Sequence, residues 1–338
     1  MVRRALGSRG WRAALVLLLL LLAAAGATAW GWLNGPLALA TPSVELSIES
    51  GTAPREIADA WVRAGVNTSP QLLYAWFRVS GQARHIRAGS YEVETGITPR
   101  ALLTRMVQGD ETLETVRLVE GWTFRQLRAA LAHAPYLKPT TANMSEAELM
   151  AALGSPGQPA EGRFFPDTYA YSRNVSDLLV LKRAHRAMQR RLVALWAERL
   201  PDTPLKSADE ALVLASIVEK ETGQAADRGL VAGVFLNRLR AGMPLQTDPT
   251  VIYGLGTAFD GNLRKRDLLD DTPYNTYLRS GLPPTPISMP GAASLRAVVR
   301  PQPTKALYFV ARGDGSSEFS ENLADHNRAV NKYQRGGS

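Results

Sequence analysis

Cysteine is absent from the 338 residues. That excludes disulfide staples, thiolate metal sites and a cysteine nucleophile, and by itself it leaves the compartment open. Histidine is scarce. His85, His133, His185 and His326 lie far apart, with no His-Glu-x-x-His or comparable ligand spacing. Each reads as an ordinary core or surface histidine, and neither a metal nor another cofactor is expected. No Gly-Lys-Ser/Thr phosphate loop occurs, Gly254-Leu-Gly256 lacks the third glycine of a dinucleotide loop, and no Gly-x-Ser-x-Gly elbow is present. Acid is in deficit too, with a net charge of +8. Arg3, Arg4, Arg9 and Arg12 account for half of that surplus, so the remainder of the chain is too weakly basic to argue for nucleic acid. A hydrophobic share of 45% and a charged share of 21% are those of a globular protein, and the length suits about two domains.

What is present begins with a long apolar run. Ala13 to Ala29 is interrupted only by Gly26 and Thr28, and Trp30 and Trp32 follow. About 18 helical residues reach roughly 27 Å, close to the ~30 Å of bilayer hydrocarbon. The expectation is a transmembrane anchor at 13–32 behind a basic tail at 1–12. Ala23-Ala24-Ala25 and Ala25-Gly26-Ala27 keep open a cleaved signal peptide, whose apolar stretch is usually shorter. No Lys or Arg follows until Arg55, so the positive-inside rule puts the N-terminus in the cytoplasm and the rest beyond the inner membrane, in the periplasm.

Residues 33–42, with Gly35, Pro36 and Pro42, read as a linker. Val44 to Glu49 alternates like a strand, helices are expected near 54–65 and 69–79, and a strand near Gly89–Glu94. A turn glycine precedes a helix start three times, at Gly51-Thr-Ala-Pro54, Gly96-Ile-Thr-Pro99 and Gly121-Trp-Thr-Phe124. Convergent helix-start chemistry explains this, and a repeated strand–helix unit is the alternative. Val116–Val119 is a further strand, and 137–162 a Pro- and Gly-rich loop holding a helix at about 145–153. Ser176 to Arg199 is a long amphipathic helix with Leu178, Leu181, Ala184, Met188, Leu192 and Leu195 in its apolar stripe. Lys182, Arg183, Arg186, Arg190 and Arg191 occupy the rest; that basic face is either simply solvated or in contact with anionic lipid or glycan-linked carboxylates.

The chemistry concentrates further on. Ser207-Ala-Asp-Glu210 is a capping box opening a helix that runs through Ser216, Glu219, Lys220 and Glu221 to Gly223. Two residues apart on a helix, Glu219 and Glu221 point about 200° away from each other and form no carboxylate pair. Glu221 continues the stripe of Leu214, Ile217 and Val218, which is more apolar than that of Leu212, Ala215 and Ser216 leading to Glu219. A carboxyl against apolar neighbours is biased toward its protonated form, as a general acid near neutral pH requires. On the helix alone, a solvated end bearing two ordinary glutamates fits as well.

Ala215-Ser-Ile-Val-Glu-Lys-Glu-Thr222, Val234-Phe-Leu-Asn-Arg-Leu-Arg240 and Gly242-Met-Pro-Leu-Gln-Thr-Asp-Pro-Thr-Val-Ile-Tyr-Gly254 resemble the endolytic murein transglycosylases, the YceG-like family. The likeness extends through Tyr274-Asn-Thr-Tyr277, Gly281-Leu-Pro-Pro284 and Asn322-Leu-Ala-Asp-His-Asn327, and upstream through Gly89-Ser-Tyr91, Leu118-Val-Glu-Gly121 and Phe165-Pro-Asp-Thr-Tyr169. Two departures concern loop shape or substrate contacts. Thr285-Pro286 and Met289-Pro-Gly291 replace the family's Gly-Pro and Asn-Pro-Gly, and Glu318 precedes Phe319 where a histidine is usual.

The resemblance implies an α+β fold: a transmembrane helix, a small LysM-like glycan-binding module at 43–110 and a larger α+β catalytic domain at 111–333. It implies Glu221 as the single general acid/base of a lytic transglycosylase. That enzyme cuts the MurNAc–GlcNAc β-1,4 bond of nascent glycan strands to leave 1,6-anhydroMurNAc ends, beside peptidoglycan synthases as partners. Gln246, Thr247, Asp248, Thr250, Tyr253, Asn275, Thr276 and Tyr277 offer amides, hydroxyls and aromatic faces in expected loop or strand-end settings, and Ser216 joins them as a candidate substrate-binding residue. Asp248 either orients Glu221 or stabilises positive charge on the sugar, or is a plain turn residue before Pro249; Asn237 and Arg238 read as structural. Two further readings stand. One is a membrane-tethered, non-catalytic peptidoglycan scaffold, and the other a hydrolase pairing Glu221 with Asp167 or Asp248.

Overall fold

In the computed structural model, residues 8–49, 51–221, 223–334 and 336 are described. Arg3 and Arg4 of the expected basic tail, and Thr222 beside Glu221, lie outside the described residues. Helix α1 (Ser8–Asn34) extends past the expected span at both ends. Its segment Ala13–Asn34, 22 residues, is long and apolar enough to cross a membrane and stands exposed along its leucines. At 1.5 Å per residue it spans about 33 Å.

The folded chain divides into two compact units, one of residues up to 114 with 171–174, the other of 115–170 with 175 onward. In the first, the expected linker is partly folded in. Leu37 is buried and donates its N–H to Ile97 O at 2.7 Å, and β1 (Ala38–Leu39) pairs with β3 (Val66–Asn67). Strand β2 (Ser43–Ile48) is followed by α2 (Pro54–Ala64), by β3, and by α3 (Pro70–Val79). It pairs antiparallel with β4 (Gly89–Glu94), from Ser43 opposite Glu94 to Ile48 opposite Gly89. Helix α4 (Pro99–Gln108) closes the unit. Proline sits at the start of α2, α3 and α4, and Ser69 and Thr98 accept from Leu72 N and Ala101 N. Local helix-start chemistry thus accounts for the recurring pattern at 51 and 96. Trp61, Phe77, Tyr91, Leu103 and Met106 fill the core, and the Trp61 indole N–H points at Met106 Sδ, 3.2 Å away.

Strand β5 (Leu113–Arg117) leads into the second unit. There follow α5 (Phe124–Ala132), α6 (Glu146–Ala152), β6 (Thr168–Ser172) and α7 (Asp177–Ala197). Next come α8 (Ala208–Glu221), α9 (Arg228–Arg240), α10 (Asp248–Leu255) and α11 (Ala292–Val299). A hairpin of β7 (Tyr308–Ala311) and β8 (Ser317–Ser320) precedes α12 (Leu323–Tyr333). Helix α8 is the axis of this unit, packed by α7, α9, α10 and α11. Every residue from Ala211 to Val218 is buried, including Ser216. A helix wrapped on all sides carries no exposed stripe, and this sets up the geometry of its C-terminal end.

Candidate active site

The start of α8 forms as its capping box requires, with the return bond shifted by one residue. Ser207 Oγ accepts from Glu210 N at 3.1 Å, while the Glu210 carboxylate takes the N–H of Lys206 at 2.6 Å. With the helix buried all round, the contrast between two stripes no longer distinguishes Glu219 from Glu221. Their ends do. Glu219 accepts the Gly291 N–H at 2.8 Å and so holds the start of α11, a structural task. Glu221 accepts the Thr247 hydroxyl and lines a cavity of about 540 Å³, within the range of ligand sites.

Thr247 is fixed from behind. Its N–H donates to Thr276 Oγ1 at 3.1 Å, Thr276 and Thr250 share a hydroxyl contact of 2.8 Å, and Thr250 Oγ1 donates to Thr247 O at 2.8 Å. Gln246, just before it, holds φ 51° and donates its N–H to Thr276 O at 3.0 Å. A non-glycine residue in the left-handed region is strained and is held there only by its surroundings. Arg238 on α9 ties the same corner together: its guanidinium donates to Leu307 O at 2.7 Å and Leu245 O at 2.8 Å. The guanidinium carbon also lies 5.1 Å from the centre of the Tyr308 ring, on which His326 stacks at 5.1 Å. Asp248 accepts the Tyr277 hydroxyl at 2.6 Å. Glu221, Arg238, Gln246, Asp248, Tyr277 and His326 all line the one cavity.

The electrostatics favour a protonated Glu221. Burial raises its pKa; the Thr247 hydrogen bond works against that, the Asp248 charge adds to it, and the Arg238 charge offsets it in part. Burial and the Arg238 charge hold His326 below the usual histidine range, so its imidazole is biased to neutral. The result is a carboxyl biased toward its protonated form, within a wall of amide, hydroxyl and aromatic groups.

The sequence profile of the YceG-like family matches residues 46–332. This chain belongs to the YceG-like family. It is 31% identical over 308 residues to a Bacillus subtilis protein named endolytic murein transglycosylase, covering 86% of this chain and 85% of that protein. A Streptococcus pneumoniae protein of the same name is 26% identical, covering 86% of this chain and 58% of its own longer sequence. The crystal structure of a YceG-like protein from Listeria monocytogenes superposes with a TM-score of 0.56 at 29% identity, covering 85% of this chain and 98% of that one.

In this YceG-like chain the candidate residues separate into three groups. Glu221, Gln246, Asp248 and Tyr277 meet at the cavity, with Thr247 buried behind Glu221. Ser216, Thr250 and Asn275 are fully buried, and their polar atoms serve the protein. Ser216 Oγ donates to Val213 O at 2.7 Å and accepts Ile287 N at 2.9 Å. Asn275 donates to Leu268 O and Asp270 O and accepts Tyr277 N. Tyr253 faces elsewhere, into a cavity of about 660 Å³ with Phe124, Tyr274 and Glu161. The expected loop setting of this run is corrected as well: Asp248, Thr250 and Tyr253 lie on α10, whose first turn contains Pro249. Proline is tolerated in a first helical turn because the N–H it lacks has no partner there. Asp167, weighed as a partner for Glu221, is exposed and does not line the Glu221 cavity.

Four residues escaped the reading of the sequence. Arg238 is structural, as its helical setting suggests, and also lines the cavity; Tyr308 and His326 arrive from the C-terminal hairpin and α12. The fourth is Glu161, buried at 6% exposure, which accepts the Phe124 N–H at 2.9 Å and the Tyr253 hydroxyl at 3.1 Å. Burial lifts its pKa to about 7 against those hydrogen bonds. The only signal available for it was a carboxylate placed just before Gly162 in a loop.

Proposed function

We infer that this chain is a peptidoglycan lytic transglycosylase that cuts glycan strands internally at the MurNAc–GlcNAc β-1,4 bond, with Glu221 as its one acid/base. The relatives named endolytic murein transglycosylase support the reaction class. The observation that carries the residue assignment is the Glu221 carboxyl at the cavity wall, biased to its protonated form by burial and held in one orientation by Thr247.

Ordinary glycosidases use two carboxyl groups, one for the leaving oxygen and one for water or the anomeric carbon. Here the second acid lining the cavity, Asp248, is already engaged by Tyr277. A single carboxyl suffices if water takes no part. Glu221 protonates the glycosidic oxygen as its bond to the anomeric carbon breaks. The 6-hydroxyl of the same sugar then attacks that carbon, and its proton passes to the Glu221 carboxylate, restoring the acid. The products are a free 4-hydroxyl and a 1,6-anhydroMurNAc end. Positioned proton transfer of this kind contributes typically 10²–10⁴-fold, and holding the hydroxyl in line supplies much of the rest. The Asp248 charge and the Tyr277 and Tyr308 rings are suited to a sugar carrying positive charge in the transition state.

In the same reading α1 is a retained anchor with its N-terminus in the cytoplasm, so the enzyme works on the periplasmic face of the inner membrane. The β2-α2-α3-β4 unit serves as a LysM-like glycan-binding module, and peptidoglycan synthases are the partners that supply nascent strands. The experiment is digestion of purified sacculi by the detergent-solubilised full chain and by Glu221→Gln, with mass analysis of the products. Anhydro ends that vanish in the variant are expected. Reducing ends that gained water would make the protein a hydrolase; pelleting with the wall without any cleavage would make it a scaffold.

A further inference from the structure

The basic face of α7 is absorbed neither by the fold nor by the catalytic reading. Val180, Leu181, Ala184, His185, Ala187, Met188 and Leu192 are buried on the inner side of this helix. Leu179, Lys182, Arg183, Arg186, Arg190 and Val193 are exposed. At 100° per residue those six fall within an arc of about 100°, a single face. No acidic residue occurs between Leu178 and Ala197. The fifth cation, Arg191, is used internally, its guanidinium 3.7 Å from the centre of the Phe165 ring.

A face whose only task is to be solvated gains from alternating signs at i,i+4. This one does the reverse. Lys182 with Arg186 and Arg186 with Arg190 are like-charge i,i+4 pairs, and Arg183 with Arg186 is a like-charge i,i+3 pair. Each mildly destabilises the helix. Among the described residues none of the four cations forms an ion pair; Arg183 donates to Ala170 O at 2.6 Å. The same arc carries two uncovered apolar side chains, Leu179 at 42% and Val193 at 69% exposure, one near each end of the row of cations.

We propose that this face of α7 is a membrane-docking surface that lays Lys182, Arg183, Arg186 and Arg190 on anionic phospholipid headgroups, with Leu179 and Val193 entering the interface. Cations alone would suit any polyanion. Apolar residues in the same row select a bilayer, whose headgroup boundary accepts them, over a hydrophilic polymer, which does not. An apolar N-terminal helix of spanning length keeps such a surface within reach of the chain. The proposal does not rest on Glu221 or on the reaction assigned to it.

The absence of native cysteine makes site-specific labelling direct. Val193→Cys, and as a reference the exposed Leu269→Cys, are labelled with an environment-sensitive dye in the full chain reconstituted into vesicles. The vesicles are phosphatidylcholine alone or with phosphatidylglycerol. The dye at 193 is expected to shift to the blue in the anionic vesicles only, and to return to its aqueous emission as salt shortens the Debye length. The dye at 269 stays unchanged. Each cation at an anionic surface is worth roughly a fivefold factor. Lys182→Gln, Arg186→Gln and Arg190→Gln together therefore lower the docked-to-free ratio roughly a hundredfold, with circular dichroism confirming the fold. Emission at 193 that is the same in both vesicle types overturns the proposal. So does an equal shift when soluble polyglutamate is added without lipid, which would make the face a polymer site.

Discussion

Thr247→Val tests the poise of Glu221 without touching the carboxyl. Valine keeps the shape of threonine and removes one hydroxyl, whose single hydrogen bond goes to Glu221 Oε1. That bond favours the charged carboxylate and so pulls the Glu221 pKa down against the burial that raises it. Its removal leaves burial less opposed, and the pKa rises further. An enzyme that must start with a protonated acid loses activity as pH climbs through that pKa, so the alkaline limb of kcat/KM moves to higher pH in the variant. A hydrogen bond to a charged group is worth roughly 1.5–3 kcal/mol, enough for an upward displacement that a pH profile resolves. The plateau falls as well, because the carboxyl is no longer held in one orientation, but by less than the roughly 10²–10⁴-fold loss expected for removal of the acid. The assay is release of soluble muropeptides from sacculi across the pH range, with substrate well below saturation. A limb that stays in place or moves to lower pH refutes the assignment of Thr247 and Glu221 as a coupled pair.

Other consequences follow from the same contacts. Tyr277→Phe frees the Asp248 carboxylate beside Glu221; the alkaline limb should move in the same direction as for Thr247→Val but by less, and a downward movement would contradict it. Arg238→Lys leaves Leu307 O and Leu245 O short of their donors. Urea unfolding should show a loss of roughly 2–4 kcal/mol, because an ammonium does not reproduce the planar fork; a loss below about 0.5 kcal/mol would mean that those bonds are not needed. For Glu161 the folded pKa of about 7 lies above its ordinary 4.5, so its contribution to stability is full below 4.5 and is lost as pH rises through 7. Relative to Glu161→Gln, which does not titrate, the native protein should lose about 3 kcal/mol between about pH 4.5 and about pH 8. A pH-independent difference between the two unfolding curves would show that Glu161 is not buried as a carboxyl.

The legible part of this molecule was its punctuation and its long motifs. Pro54, Pro99 and Ser207 announce helix starts that form where expected, and the basic-then-apolar N-terminus announces a helix of spanning length. Glu221 stood out by family likeness, and less securely by its neighbours on the helix, since Leu212 and Ser216 turn out as buried as Leu214 and Ile217. The partners of Glu221 were harder to see because they are contacts over long sequence separations. Thr247 comes from the turn before α10, Arg238 from α9, and Tyr308 and His326 from β7 and α12. Composition also misled. Asn275, Thr250 and Ser216 looked like sugar-binding groups, yet buried backbone, in helices as well as loops, needs such side chains to satisfy its amides and carbonyls. Glu161 carried no pattern at all, because its role depends on burial against Phe124 and Tyr253, 37 and 92 positions away.

The most direct measurement is the initial rate of strand cutting by the native chain and by Glu221→Gln, run in water enriched in heavy oxygen. Native products should carry no heavy oxygen at the muramoyl end, and the variant should be slower by roughly 10²–10⁴-fold while still binding the wall. One heavy oxygen incorporated per cut, or a variant that cuts at the native rate, would contradict it.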